Sequence, residues 1–138
     1  MTILIASRTG ILADSKVTTG SVSYRTNKIL RYKGELIGLA GDHRGLEKFL
    51  RWYKGRRGKM FDTSDDEAFE VVVVNKRGMW VYINCTLPEQ PHGDYYYAGA
   101  GDAAAEAAML AGASPRRAIE IACQVINSCG LPIQEEKL

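Results

Sequence analysis

Short apolar runs separated by polar turns, rather than long periodic stretches, dominate the first hundred residues. Residues 2–6 and 11–13 are apolar and flank Ser7-Arg8-Thr9-Gly10, which predicts a first hairpin. Residues 28–32 and 35–40 predict a second, turning at Lys33-Gly34. Residues 69–74 and 79–85 predict a third, turning at Asn75-Lys76-Arg77-Gly78. Tyr95, Tyr96 and Tyr97 make a further short strand before Gly99. The run Val71-Val72-Val73-Val74 has no polar alternate, so both of its faces are expected to be buried between two layers.

Helical spacing enters in two places. Leu46, Phe49, Leu50 and Tyr53 recur at i, i+3, i+4, i+7, with Asp42 as a cap and Gly55 as a stop. Further on, Asp102 is placed to cap an alanine-rich helix that runs through Leu110 and ends near Gly112. Ser114 and Pro115 then open a third helix, whose inner face reads Ala118, Ile119, Ala122, Val125 and Ile126. Residues 131–134 predict a short tail strand. Strands grouped apart from helices give an α+β layered domain. Two sheets between helix layers would explain a strand that is apolar on both sides.

Composition narrows the function classes more than it selects one. A chain of 138 residues is expected to be one domain, 1–138, long enough to bury a core without staples. Its net charge of +2 is too small to argue for nucleic acid or an acidic membrane. One basic cluster, Arg51, Lys54, Arg56, Arg57 and Lys59, is interleaved with Trp52 and Tyr53. Gly55 and Gly58 interrupt it and no groove-reading motif accompanies it, so a solvated loop is preferred over a nucleic-acid patch. Cys85, Cys123 and Cys129 are odd in number and show no C-x-x-C spacing, which suits thiols in a reducing cytoplasm. His43 and His92 stand far apart in polar contexts, so no metal site is expected. No apolar stretch approaches the ~20 residues that span a bilayer.

Chemistry concentrates at the start. Once Met1 is removed, the chain begins at Thr2, which then carries a free α-amine and a secondary alcohol on one residue. An alcohol needs a base to become a useful nucleophile, and an N-terminal amine of pKa about 7.7–8.0 can be that base. Behind Thr2 come Asp14-Ser15-Lys16-Val17-Thr18-Thr19-Gly20, then Asn27-Lys28, then Leu39-Ala40-Gly41-Asp42. Taken singly, Asp14 and Lys28 could be a surface pair and Gly41 a plain helix-entry glycine. Their order behind an N-terminal threonine is the specific feature.

In that order, with Gly99-Ala100-Gly101 and an alanine-rich helix following, nearly the whole chain resembles the proteasome β-type, HslV-like family of N-terminal-nucleophile (threonine) hydrolases. The resemblance implies a four-layer αββα sandwich, with a shortened helix region after residue 55. It implies that Thr2 is nucleophile and base, that Lys28 lies beside it, and that Asp14 pairs with and orients Lys28. It implies a Gly41 N–H that stabilises the oxyanion, and Thr18 and Gly20 on a stretch that binds an extended peptide by strand addition. Leu39, with Lys16 and Arg25, lies near positions that could shape a substrate pocket.

The same resemblance implies a threonine peptidase acting on a peptide or unfolded polypeptide. It also implies a homo-oligomeric ring, a possible ATP-dependent unfoldase partner, a cytoplasmic location, and no cofactor. The first hairpin is shorter than the family's, but an even-numbered deletion keeps Thr2 and Asp14 on their original faces. Two departures bear on activity: Ala100 replaces a serine that supports the N-terminal amine, and Asn127-Ser128-Cys129-Gly130 replaces a stretch carrying an acid. They motivate the alternatives of a catalytically silent, partner-binding subunit or a small-amide hydrolase.

Overall fold

The computed structural model describes residues 2–55, 61 and 65–138. Strands β1 (Leu4–Ser7) and β2 (Gly10–Ala13) form the first hairpin, and β3 (Lys16–Thr19) and β4 (Val22–Arg25) a second. β5 (Ile29–Tyr32) and β6 (Glu35–Gly41) lead into helix α1 (His43–Gly55). A 3₁₀ turn, Asp65–Glu67, precedes β7 (Phe69–Asn75) and β8 (Gly78–Ile83). The chain closes with β9 (Tyr95–Ala98), α2 (Asp102–Leu110), α3 (Pro115–Val125) and β10 (Gln134–Lys137).

Two four-stranded antiparallel sheets stack face to face, ordered β10-β2-β1-β9 and β5-β6-β7-β8. Period-two alternation sorts their side chains into three cores. Leu4 and Ala6 of β1 meet Val72 and Val74 of β7 between the sheets. Ile3 and Ile5 turn the other way, onto Ala105, Ala118, Ile119 and Ala122 of α2 and α3. Val71 and Val73 turn outward onto Phe49 and Tyr53 of α1. The resulting order is helix pair, sheet, sheet, helix: the expected four-layer αββα sandwich. Both faces of the four-valine run are buried, as its lack of polar alternates requires.

Several boundaries move, each for a local reason. The β3–β4 hairpin was not expected as strands. Its alternation of Val17, Thr18, Val22 and Tyr24 is legible only once Gly20, at φ 60°, is recognised as the turn. β8 stops at Ile83 because Asn84 adopts φ 59° and folds back on Phe69. Its N–H donates to Phe69 O at 3.0 Å and its Oδ1 accepts from Phe69 N at 2.7 Å. The tail strand lies at Gln134–Lys137, beyond the expected 131–134, since Gln134 is the residue that registers with Ala13. Gly101, not Asp102, is the N-cap of α2. Val125 is exposed, whereas Ile126 packs against the helix-side core.

The basic cluster also changes character. Arg51, Trp52, Tyr53 and Lys54 form the last turns of α1, with Trp52 and Tyr53 packed in the aromatic core and not on a loop. Arg56, Arg57, Gly58 and Lys59 lie outside the described residues.

Phe49 is the centre of that outer core, with ring centroids of Trp52, Tyr53, Phe69 and Tyr82 between 4.9 and 5.7 Å from its own. Phe49→Ala is therefore expected to cost about 3–5 kcal/mol. A urea unfolding series comparing midpoints with the parent chain checks this.

Candidate active site

The start of β1 is buried at one end of the sandwich, where four segments converge. Thr2 is 6 % exposed, Lys28 4 %, and Asp14 is fully buried. The ladder continues one residue past β1 and β2, with Asp14 N donating to Ile3 O at 3.1 Å. Asp14 then turns its carboxylate back along the chain. Oδ1 accepts from Ile3 N at 3.0 Å and from Lys28 Nζ at 2.8 Å. Oδ2 accepts from Gly130 N at 2.9 Å and Lys16 N at 3.2 Å. Four donors saturate the acceptor sites of a carboxylate. One oxygen thus serves both the Lys28 ammonium and the amide nitrogen bonded to Thr2, which keeps that ammonium inside the ~10 Å screening length of the Thr2 side chain.

Lys28 Nζ also donates to Lys16 O at 2.6 Å. Its backbone is fixed separately, by Leu39 N donating to Lys28 O at 2.8 Å and by Lys28 N donating to Gln134 Oε1 at 2.9 Å. Gln134 was not anticipated from sequence. Its Nε2 reaches Thr26 O at 2.7 Å and Asp14 O at 3.1 Å, so one amide from the tail strand ties both halves of the ion pair. A polar residue opening a tail strand carries no distinguishing signal, which is why it escaped notice. Gly130 does belong to a stretch singled out by the resemblance, and its N–H is what that stretch delivers to Asp14.

The opposite flank of Thr2 is made by Gly99-Ala100-Gly101. Gly101 N donates to Thr2 O at 3.3 Å. Gly99 sits at φ 94°, and a Cβ on it would fall 2.0 Å from Thr2 O. Only glycine permits that approach and that backbone conformation. Ala100, half-buried in the turn, offers no side-chain hydrogen bond.

Gly41, at φ 119°, ends β6, and Asp42 Oδ1 accepts from Arg44 N at 2.9 Å to cap α1. The guanidinium and N–H of Arg44 hold the Asp42 carboxyl below its ordinary range. Gly41 and Gly99 face one cleft of about 180 Å³, with Phe69, Glu70, Ile83 and Asn84. The structure thereby brings Thr2, Asp14, Lys28, Gly41 and the glycine turn to one end of the molecule.

Thr18 and Gly20 lie apart from that cluster, on the two-stranded β3–β4 arm. β3 pairs with β4 on one edge, and among the described strands nothing pairs with its other edge. Leu39 packs its side chain with the α1-side core, so it joins the site through its main chain. Lys16 Nζ donates to Asn127 O at 2.8 Å, which places the Asn127 backbone beside the Asp14 network.

The four-layer αββα sandwich is the fold that the resemblance in the sequence implies. Solved structures align with the whole chain on that basis. Eukaryotic HslV from Trypanosoma brucei matches with a TM-score of 0.76 and 20 % identity, over 100 % of this chain and 99 % of that one. Thiobacillus denitrificans BPH matches at 0.74 and 18 %, over 100 % and 97 %. BPH in complex with epoxomicin matches at 0.73 and 17 %, over 100 % and 98 %. No family model matches the sequence, and no curated protein matches it either. The chain has the fold of HslV-like and proteasome-like peptidases, in agreement with the resemblance seen in its sequence. No helix among the described residues is long and apolar enough to cross a membrane.

Removing one partner of the buried pair leaves the other charge uncompensated. Asp14→Ala is expected to cost about 3–5 kcal/mol, and Asp14→Leu combined with Lys28→Met less than that. Urea midpoints of the two variants decide the order. Burial, then the Asp14 charge, pushes the Cys123 thiol up to about 11. The raised value favours the unreactive protonated form, so at pH 8 only about one thiol in a thousand is thiolate. Iodoacetamide labelling of the native chain, followed by peptide mass mapping, is expected to modify Cys123 only as pH approaches 11.

Proposed function

We propose that the protein is a threonine-type peptidase that uses Thr2, after removal of Met1, as nucleophile and its α-amine as base. The observation that supports it most is the shared Asp14 oxygen, bonded to Lys28 Nζ and to the amide next to Thr2. A cation held there disfavours protonation of a neighbouring amine and so keeps it available as a base. The amine takes the Thr2 hydroxyl proton as the oxygen attacks the substrate carbonyl. Gly41 N–H receives the oxyanion, a type of donor that lowers a barrier by about 3–4 kcal/mol. Collapse breaks the C–N bond, and the proton passes from the ammonium to the departing amine. Water, deprotonated by the same amine, then hydrolyses the ester and regenerates Thr2.

The acyl half of the substrate would add as a strand to the open edge of β3, at Thr18 and Gly20, where main-chain bonds give affinity with little sequence preference. A ring of identical chains, an unfoldase partner and a cytoplasmic setting remain part of this reading. They are what the family resemblance in the sequence implies.

A second reading is favoured by one observation. Ala100 stands in the turn against Thr2 where a hydroxyl would support the amine, and Asn127, with no acid to offer, gives its carbonyl to Lys16 Nζ. A subunit that binds or assembles without cutting would tolerate both. A hydrolase of small amides is the third possibility, since the nucleophile alone does not choose the acyl group.

Epoxomicin, the compound bound in one BPH structure, is the natural probe. Intact-mass spectrometry is expected to show a chain starting at Thr2 that gains one inhibitor mass, with casein hydrolysis lost in Thr2→Ala. Retained Met1 and no adduct would point to the silent subunit. Undiminished hydrolysis by Thr2→Ala would end the peptidase proposal.

A further inference from the structure

The cleft between Gly41 and Gly99 has an acidic wall that the chemistry above leaves unused. Glu70, half-buried on β7, lines it beside Ile83 and Asn84. Glu70 Oε2 accepts from Tyr96 OH at 2.8 Å. Among the described residues no lysine, arginine or histidine forms an ion pair with Glu70. Burial, and then Glu70 itself, pushes the Tyr96 phenol upward, so it stays a neutral donor and takes no charge from the carboxylate. Asp102 and Glu89 act on the same phenol in the same direction, adding negative field on that side.

Sheet order says which part of a substrate meets this wall. β1 has β2 on one side and β9 on the other. The β3 arm continues from β2, whereas Gly99 follows β9. A chain whose acyl half lies along β3, with its carbonyl between Thr2 and Gly41 N–H, sends its amine half across to the β9 side. The cleft there, about 180 Å³, is smaller than the ~300–1,000 Å³ of a drug-sized ligand site and suits one side chain. Its floor is rigid, because Asn84 clamps the end of the β7–β8 ladder through both bonds to Phe69.

We infer that the first residue on the amine side of the scissile bond seats in this cleft, and that Glu70 makes lysine or arginine the preferred residue there. The inference rests on the peptidase reading and adds a substrate preference to it. An acidic residue at that position faces Glu70 directly, so discrimination between lysine and glutamate combines attraction with repulsion.

Two peptides differing only by lysine or glutamate at this position test it. Their affinities for full-length Thr2→Ala, read by fluorescence anisotropy, do not depend on turnover. The lysine peptide is expected to bind about tenfold more tightly, and Glu70→Gln in the same background to reduce that ratio to about twofold. Glutamine still accepts from Tyr96 OH, so the fold is retained, as circular dichroism would verify. Equal affinities, or a ratio that survives Glu70→Gln, overturn the inference. Cleavage of the same pair by the parent chain is followed separately by mass spectrometry. Intact peptides there, with the binding ratio present, would count against the peptidase reading and not against Glu70.

Discussion

The Asp14 carboxylate is the constraint on which this end of the molecule depends. It is fully buried and accepts from four donors on four segments: the strand behind Thr2, β3, the lysine before β5, and the turn after α3. A buried carboxylate without such donors would be costly, and a buried lysine without a carboxylate equally so. The cost is met by converging backbone N–H groups, and that convergence positions the Thr2–Ile3 peptide relative to an ammonium. The burial penalty of the pair and the placement of Thr2 are therefore one structural problem with one solution.

The layers explain why the solution is rigid. β1 is an inner strand, paired on both edges and packed on both faces. Its first residue inherits that order even though it lies near a chain terminus, where fraying is normal. The glycine turn after β9 presses on Thr2 from the other side, with no space for a Cβ at Gly99. Precision at Thr2 follows from enclosure on both flanks, which would suit the double role of nucleophile and base proposed for it.

What was legible in the sequence follows from how local each signal is. Hairpins with φ-positive turns, such as Lys33-Gly34, and the two-faced valine run could be read because the determining residues are adjacent. The cap of α3 by Ser114 is equally local, its Oγ accepting from Arg117 N. The β3–β4 arm was missed because its strands are short and mostly exposed, so hydrophobic alternation is weak there. Thr2, Asp14, Lys28 and Gly41 could be named only through their order along the chain. Gln134 and Glu70 act across separations that no spacing rule covers. Gln134 meets Lys28 only because β10 pairs with β2.

Ala100 and Glu70 are best considered together, since they lie on the same flank of Thr2. In the proposed mechanism a hydroxyl beside the Thr2 amine would steady a proton in transit, and Ala100 offers none. Two partners of the Lys28 ammonium, Asp14 and Lys16 O, are on the other flank. The two sides of Thr2 therefore divide the work. In the proposed mechanism the β2 side would set the electrostatics of the nucleophile, and the β9 side would face whatever leaves. A departure from the family pattern at Ala100 falls on the second of these, where its effect is expected to reach the departing amine before it reaches the attack. A carboxylate held in the same cleft by a neutral phenol places negative charge where a cationic leaving segment would gain from it. In the proposed mechanism, the flank where Ala100 offers no hydroxyl would thus be the flank where Glu70 chooses the substrate.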